Sequence, residues 1–181
     1  LFDPVEAVED VASLLSSTAS EKDIELAIRI DPSVQHMVVS DAGRFRQIIT
    51  NLVGNAVKFT ETGYVLIELA EQTLEAGEVL LTIKVQDTGI GIPADKLASI
   101  FDKFSQVDSS STRRHEGTGL GLAITVGLVG IFAGSINVES AVGQGTLFTI
   151  KLPLEAAALR GNKTITLPAG DLGGARGLVI D

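Results

Sequence analysis

Asn51, Asn55 and Lys58 fall four and three residues apart in the stretch NLVGNAVKFT, Asn51–Thr60. On a helix that spacing puts all three on one face. At about 100° per residue, Arg44 and Gln47 join them. Phe45, Ile48, Ile49, Leu52 and Ala56 form the apolar stripe alongside. A solvated polar face would use the same residues, but asparagine is a mediocre helix former, and two in one interior stripe ask for a ligand. An amide oxygen suits a hard cation such as Mg2+, and the Lys58 ammonium suits a phosphate.

A second stretch, DTGIGIP (Asp87–Pro93), follows a strand-like run directly. Gly89-x-Gly91-x-x-Ala94 formally matches the dinucleotide fingerprint that follows a strand. Three features oppose that reading. Asp87 would face a pyrophosphate with a carboxylate, the helix expected after Pro93 is short, and no second parallel strand ending in an acid follows about twenty residues on. Asp87 fits better as an acceptor for an exocyclic amine, with the glycines admitting a flat base. A tight turn in which the aspartate bonds its own backbone remains the simpler alternative.

The third stretch, EGTGLGLAI (Glu116–Ile124), sets glycines at every second position before an apolar run. Free N–H groups at the start of the following helix can meet a phosphate. No Gly-Lys-Ser/Thr follows, so it is not a Walker loop. Upstream, Asp102–Glu116 is polar and serine-rich and carries Arg113, Arg114 and His115. It reads as a mobile loop whose cations suit a lid over phosphates; a flexible connector is the alternative. Gly143-Gln144-Gly145-Thr146 reads as a hairpin turn.

These stretches need elements to position them. Asp3 and Pro4 open a first helix. Glu25–Ile30 alternates as a strand, and Ser40 or Asp41 opens the helix that runs to about Phe59. Tyr64–Ala70 and Val79–Val85 form one hairpin, Ser135–Ser140 and Thr146–Leu152 another. A third helix runs to about Phe132, with Gly134 as its stop. His36 follows Asp31-Pro32 and reads as part of a turn. The assembly expected is α+β: a two-layer sandwich with helices on one face of a mixed sheet.

Together and in this order the stretches resemble the ATP-binding catalytic domain of sensor histidine kinases, in the superfamily of gyrase, Hsp90, histidine kinase and MutL with its Bergerat fold. Asn51–Thr60 is similar to the N box, Asp87–Pro93 to the G1 box, FDKF (Phe101–Phe104) to the F box, Glu116–Ile124 to the G2 box and GQGT to the last glycine motif. The resemblance implies ATP and Mg2+ as cofactors, with Asn55 on the metal. It implies that Asn51 and Lys58 hold phosphates and that Asp87 accepts from the adenine amine. Gly89, Gly91 and Ile92 would line the base, with Thr146 near it. Arg113 or Arg114 would reach the terminal phosphates. Gly117, Thr118, Gly119, Leu120 and Gly121 would wrap them.

The resemblance also implies a reaction. ATPase members of the superfamily carry a glutamate one turn before the metal asparagine; Asn51 stands there instead, so hydrolysis should be slow and the γ-phosphate should await a histidine. Neither His36 nor His115 fits that role. The phosphoacceptor helical-hairpin domain would lie upstream, and the chain would hold no catalytic residue beyond phosphate-stabilising Lys58, Arg113 and Arg114. The domain would cover residues 1–153, an Ala/Gly-rich linker 154–176, and the closing GLVID (177–181) resembles the first strand of a receiver domain, as in hybrid kinases. The whole protein would be a homodimer and this portion a monomer, in the cytoplasm. A nucleotide-binding pseudokinase that only scaffolds, and a dinucleotide enzyme, are the competing readings.

The totals agree. The chain has 181 residues, is 45% hydrophobic and carries a net charge of −9, which disfavours general binding to nucleic acid or anionic membrane. It has no cysteine, hence neither disulfide nor thiolate metal site. The run from Gly117 to Val138 has no charged residue, long enough to raise a transmembrane helix. Its glycines, Thr118, Thr125, Ser135 and Asn137 make it read instead as loop, helix, stop and strand. Gly127 and Gly130 lie inside that helix, at about 1 kcal/mol each relative to alanine. This small, apolar surface is expected to pack against a partner domain in a longer protein, where a bulky residue at Gly127 would alter association.

Overall fold

The computed structural model of the protein describes residues 1–102 and 119–159. Helix α1 (Pro4–Glu21) begins where Asp3 accepts hydrogen bonds from the N–H groups of Val5 (2.8 Å) and Glu6 (3.4 Å), with Pro4 in the first turn. Asp41 starts α2 (Ala42–Phe59) by accepting from the Arg44 N–H at 2.9 Å. The strands are β1 (Ile24–Ile30), β2 (His36–Val39), β3 (Gly63–Thr73), β4 (Glu78–Asp87), β5 (Ser135–Ala141) and β6 (Gly145–Leu159), with α3 (Gly121–Ile131) before β5.

The strands form one mixed sheet in the order β1-β3-β4-β6-β2, and β5 also pairs with β6. β1 and β3 run parallel; the other pairs are antiparallel. The helices cover one face, as the α+β expectation has it. Alternation along β3, β4 and β6 sends Ile67, Leu69, Leu81, Ile83, Ile150 and Leu152 inward, all essentially without solvent exposure. Phe45, Ile48, Ile49 and Leu52 of α2 meet them from the helical layer. Both expected hairpins form, β3–β4 and β5–β6.

Three local expectations are corrected. β6 does not stop before Pro153 but continues to Leu159, six residues into the stretch read as linker. Pro153 falls between the last β5 partner, Lys151, and the first β2 partner, Glu155, so it interrupts neither of those ladders. His36 is not in a turn: it begins β2, which pairs with the far end of β6. After Pro93 there is no helix but a chain of turns, with Lys96 N–H bonded to Pro93 O, Ser99 N–H to Lys96 O and Asp102 N–H to Ser99 O. The rest of the linker and the 177–181 strand lie outside the described residues.

Among the described residues no helix is long and apolar enough to cross a membrane. The described part of the uncharged run divides into α3, a turn at Phe132–Gly134 and β5. At that turn Gly134 N–H bonds Val129 O at 2.9 Å, and an added Cβ would lie 2.5 Å from Lys151 O. α3 is apolar on its outer side too, exposing Ile124, Val126 and Ile131.

Gly127 and Gly130 have helical backbone, and an added Cβ at either would meet nothing within 4 Å. Fold and space therefore do not require glycine there. Gly127→Ala and Gly130→Ala should each stabilise the isolated domain by about 0.5–1 kcal/mol in urea unfolding. A loss of stability from either would show that the helix is held in a conformation only glycine tolerates.

Candidate functional site

The site is built where β4 leaves the sheet beside the C-terminal end of α2. Asp87, the last residue of β4, is buried. Its Oδ1 accepts from Gly89 N–H at 2.8 Å and from Thr146 N–H at 3.2 Å. The first of these is the tight aspartate turn weighed from the sequence. It does not use up the carboxylate: Oδ2 has no hydrogen bond among the described residues, and since no described side-chain N or O atom is both buried and unpartnered, Oδ2 keeps some exposure as an acceptor. Burial raises the Asp87 carboxyl above the ordinary carboxylate range, against the two backbone N–H groups that lower it.

The glycines around Asp87 are there for close approach. Gly91 has φ +68°, and a Cβ on it would lie 2.0 Å from Ala141 O. Gly145 has φ +83°, and its Cβ would lie 1.9 Å from Asp87 O. The Asp87–Pro93 loop and the β5–β6 turn are in backbone contact, closed by Gly143 N–H to Ile90 O at 2.8 Å. Ser140 ties the same pieces together. Its Oγ accepts from Ile92 N–H (2.8 Å), donates to Gly145 O (2.8 Å) and sits 3.0 Å from Thr146 Oγ1. Sequence reading brought Asp87, Gly89, Gly91, Ile92 and Thr146 forward but missed Ser140, since a lone serine at a strand end carries no motif.

Across from this floor stands the polar face of α2. Its two asparagines differ. Asn51 Nδ2 donates to Gly121 O (3.1 Å) and Thr125 Oγ1 (3.2 Å), while its Oδ1 accepts from Gln47 Nε2 (2.9 Å). Asn51 therefore lashes α2 to the start of α3, and both its amide hydrogens are engaged. The side chain of Asn55, half-buried one turn on, makes no hydrogen bond among the described residues. Its Nδ2 lies 4.0 Å from where a Gly121 Cβ would stand. Lys58 lies over the Phe59 ring, 4.9 Å from its centroid, and has no carboxylate partner among the described residues. Arg44 pairs with Asp41 instead.

α3 begins at Gly121 without a side-chain cap: Leu120 takes the cap position, and Gly119 before it has φ +65°. The first backbone bond inside the helix is Ile124 N–H to Leu120 O. The N–H groups of the first turn thus lack intrahelical partners, next to Asn55. Gly119, Leu120 and Gly121 are brought to the site. Arg113, Arg114, Gly117 and Thr118 lie outside the described residues, as do His115 and the Lys103 and Phe104 of FDKF.

The Asn55 amide, the Lys58 ammonium, an uncapped helix start and the buried Asp87 carboxylate are thus tied together through α2, which bonds the start of α3 through Asn51 and the Asp87–Pro93 loop through Phe59 O. Residues 40–156 match the family described as histidine kinase-, DNA gyrase B- and HSP90-like ATPase. This chain belongs to that family. It is 40% identical over 148 residues to the signal transduction histidine-protein kinase BarA of Escherichia coli (strain K12), covering 82% of this chain and 16% of BarA. It is 42% identical over 175 residues to the sensor histidine kinase AruS of Pseudomonas aeruginosa, covering 96% of this chain and 17% of AruS. The solved structure of full-length ShkA in complex with AMPPNP aligns with TM-score 0.70 at 38% identity, over 84% of this chain and 30% of ShkA. The nucleotide-free catalytic domain of histidine kinase ThkA aligns with TM-score 0.67 at 25% identity, over 84% of this chain and 95% of that one. The chain corresponds to the ATPase catalytic part of histidine kinases. It spans about a sixth of the length of these two curated relatives.

The geometry separates two glycines of one turn. Gly145→Ala combines a left-handed backbone with an impossible contact and should cost at least about 3 kcal/mol in chemical denaturation. Gly143→Ala has φ +75° but meets nothing within 4 Å, so it should cost only the backbone term, about 1 kcal/mol. Equal losses at the two positions would contradict the packing of the turn against Asp87.

Proposed function

We propose that this chain binds Mg-ATP and supplies its γ-phosphate to a histidine on a separate phosphoacceptor domain. Adenine would sit on the floor, its amine donating to Asp87 Oδ2, with Gly89, Gly91 and Ile92 along the base and Thr146 behind Asp87. The phosphates would lie between α2 and the start of α3, near Lys58 and the N–H groups at Gly121. Arg113 or Arg114 would reach the terminal phosphates, and Gly117 and Thr118 would join the wrap.

The observation that carries the reading is the contrast between the asparagines. Asn55 has a side-chain amide with no partner among the described residues, beside an uncapped helix start, which fits a single protein ligand to Mg2+, an ion that keeps most of its waters and takes phosphate oxygens. Held by Asn55, Mg2+ would supply positive charge against the phosphates. Asn51 offers no base to activate water, and its amide is held by α3. The arrangement favours positioning over hydrolysis, and so transfer to another nucleophile. The AMPPNP complex of ShkA supports a nucleotide in this fold.

The partners follow from this reading. A phosphoacceptor helical hairpin would receive the phosphate within a homodimeric longer protein, and a receiver domain would take it on. The domain would work in the cytoplasm, where ATP is. The apolar outer side of α3 is offered to one of those partner domains, and a bulky residue at Gly127 should alter that association.

Thermal-shift titration tests the site. Mg-ATP or Mg-ADP at a hundredfold over Kd should stabilise by about 2.7 kcal/mol, a rise of several degrees. Asn55→Ala and Asp87→Asn should each remove most of it. A shift with NAD and none with adenine nucleotides would overturn the reading. With a supplied phosphoacceptor domain, label from γ-labelled ATP should appear on its histidine while free phosphate accumulates slowly; binding with no transfer would favour the scaffold.

Asp87→Asn has a second, separable outcome. A carboxyl raised on folding contributes stability that is fully present below its unfolded value and is lost as pH rises through the folded one. Asp87 therefore adds none of that contribution once pH is above its folded value. Asparagine keeps an oxygen for the two N–H groups, so ligand-free stability at pH 7 should hold or rise while nucleotide affinity falls about tenfold or more. A ligand-free protein clearly destabilised by Asp87→Asn would show that the carboxylate is needed for the fold itself.

A further inference from the structure

We propose that Lys22 is a positioning residue for the nucleotide site, acting by fixing the last turn of α2. The inference rests on the nucleotide reading above. A helix leaves its last carbonyls without intrahelical partners. In α2 each of these, from Ala56 to Thr60, is satisfied. Ala56 O accepts from Thr60 N–H (3.0 Å) and Thr60 Oγ1 (2.7 Å). Lys22 Nζ donates to Val57 O (2.6 Å), Lys58 O (3.0 Å) and Thr60 O (2.6 Å). Phe59 O, pointing the other way, accepts from Ile90 N–H (3.2 Å) in the Asp87–Pro93 loop.

An ammonium has three hydrogens, and here all three are engaged by one helix end. The charge also sits at the negative end of the α2 dipole. The stem of Lys22 is itself anchored: it caps α1, with its N–H bonded to Ala19 O (3.1 Å) and the next N–H, of Asp23, bonded to Ser20 O (3.1 Å), and Asp23 then turns the chain into β1 with φ +56°. Two helix ends distant in sequence are thus clamped by one half-buried side chain.

The clamped turn is the one that serves the site. It carries Lys58, and Asn55 stands one turn earlier. Its Phe59 carbonyl seats the base-side loop so closely that a Cβ on Gly89 would lie 2.5 Å from it. A loosened turn would shift Lys58 relative to the start of α3 and Ile90 relative to Asp87 together. Lys22 touches no ligand position, so its effect on binding must pass through these groups.

Calorimetric titration with Mg-ATP and Mg-ADP tests this, at a temperature where circular dichroism shows every variant folded. Lys22→Met keeps the apolar stem and should bind both nucleotides about tenfold more weakly. Lys22→Arg keeps the charge, but its planar fork cannot converge on three carbonyls around a helix end, so it should recover part of the loss. Leu69→Ala, in the β3 core away from the site, serves as the control: it should lower the unfolding temperature yet keep wild-type affinity. Wild-type affinity in Lys22→Met, or an equal loss in Leu69→Ala, would overturn the inference. If Lys22→Met does not fold, Lys22→Arg decides it, and unchanged binding by that variant overturns it. Wild-type protein that binds neither nucleotide would overturn the nucleotide reading, and this inference with it.

Discussion

Asp87 is a carboxylate at the rim of the core, and holding it there constrains everything around it. One oxygen must be satisfied from within, and two backbone N–H groups do so, one from the loop that follows and one from β6. For both to arrive, the Asp87–Pro93 loop has to fold back on itself and the β5–β6 turn has to press against the strand end. That crowding leaves no room for a Cβ at Gly89, Gly91 or Gly145. The second oxygen has no partner among the described residues. On the nucleotide reading proposed above, an acceptor of fixed position there would select a flat amine-bearing base, since a wrong edge would leave the carboxylate desolvated and unpaired.

The helical layer divides its labour by residue. In α2 one face makes core and the other makes site, and within the site face Asn51 is structural while Asn55 is open. The link from Asn51 to Gly121 and Thr125 brings the uncapped start of α3 beside Asn55. Thr125, fully buried, completes the link by donating to Gly121 O at 2.9 Å. The two parts of the candidate site are joined through α2, whose last turn meets the Asp87–Pro93 loop at Phe59 O.

Much of this was legible because the signals are local. Helix caps at Asp3 and Asp41, the period-two alternation of β3 and β4, and the glycine clusters can each be read within a few residues. What escaped depends on partners far along the chain. β2 is only four residues long, and its reason to be a strand is the end of β6, more than a hundred residues later. That end was hidden in turn by Pro153, an ordinary strand breaker that here falls in a gap between two partners. Ser140 is an isolated polar residue with no motif, and Asn51 stands in a motif beside Asn55; only the packing shows that Ser140 pins a turn and that Asn51 joins two helices. The chain of turns after Pro93 mixes backbone bonds of i→i+3 type with a single i→i+4 bond, Ile100 N–H to Lys96 O, a pattern that no apolar period announces.

The length of β6 has a mechanical consequence. The strand runs unbroken from Thr146, behind Asp87, to Leu159 at the opposite edge of the sheet, and at about 3.3 Å per residue that is roughly 40 Å. On the nucleotide reading proposed above, any domain tethered beyond Leu159 would be anchored far from Asp87. Its access to the phosphates would be governed by the reach and stiffness of the intervening tether, which sets an effective local concentration and so a rate. The sheet would then act as a ruler that keeps such a tethered domain at a distance unless something brings it round.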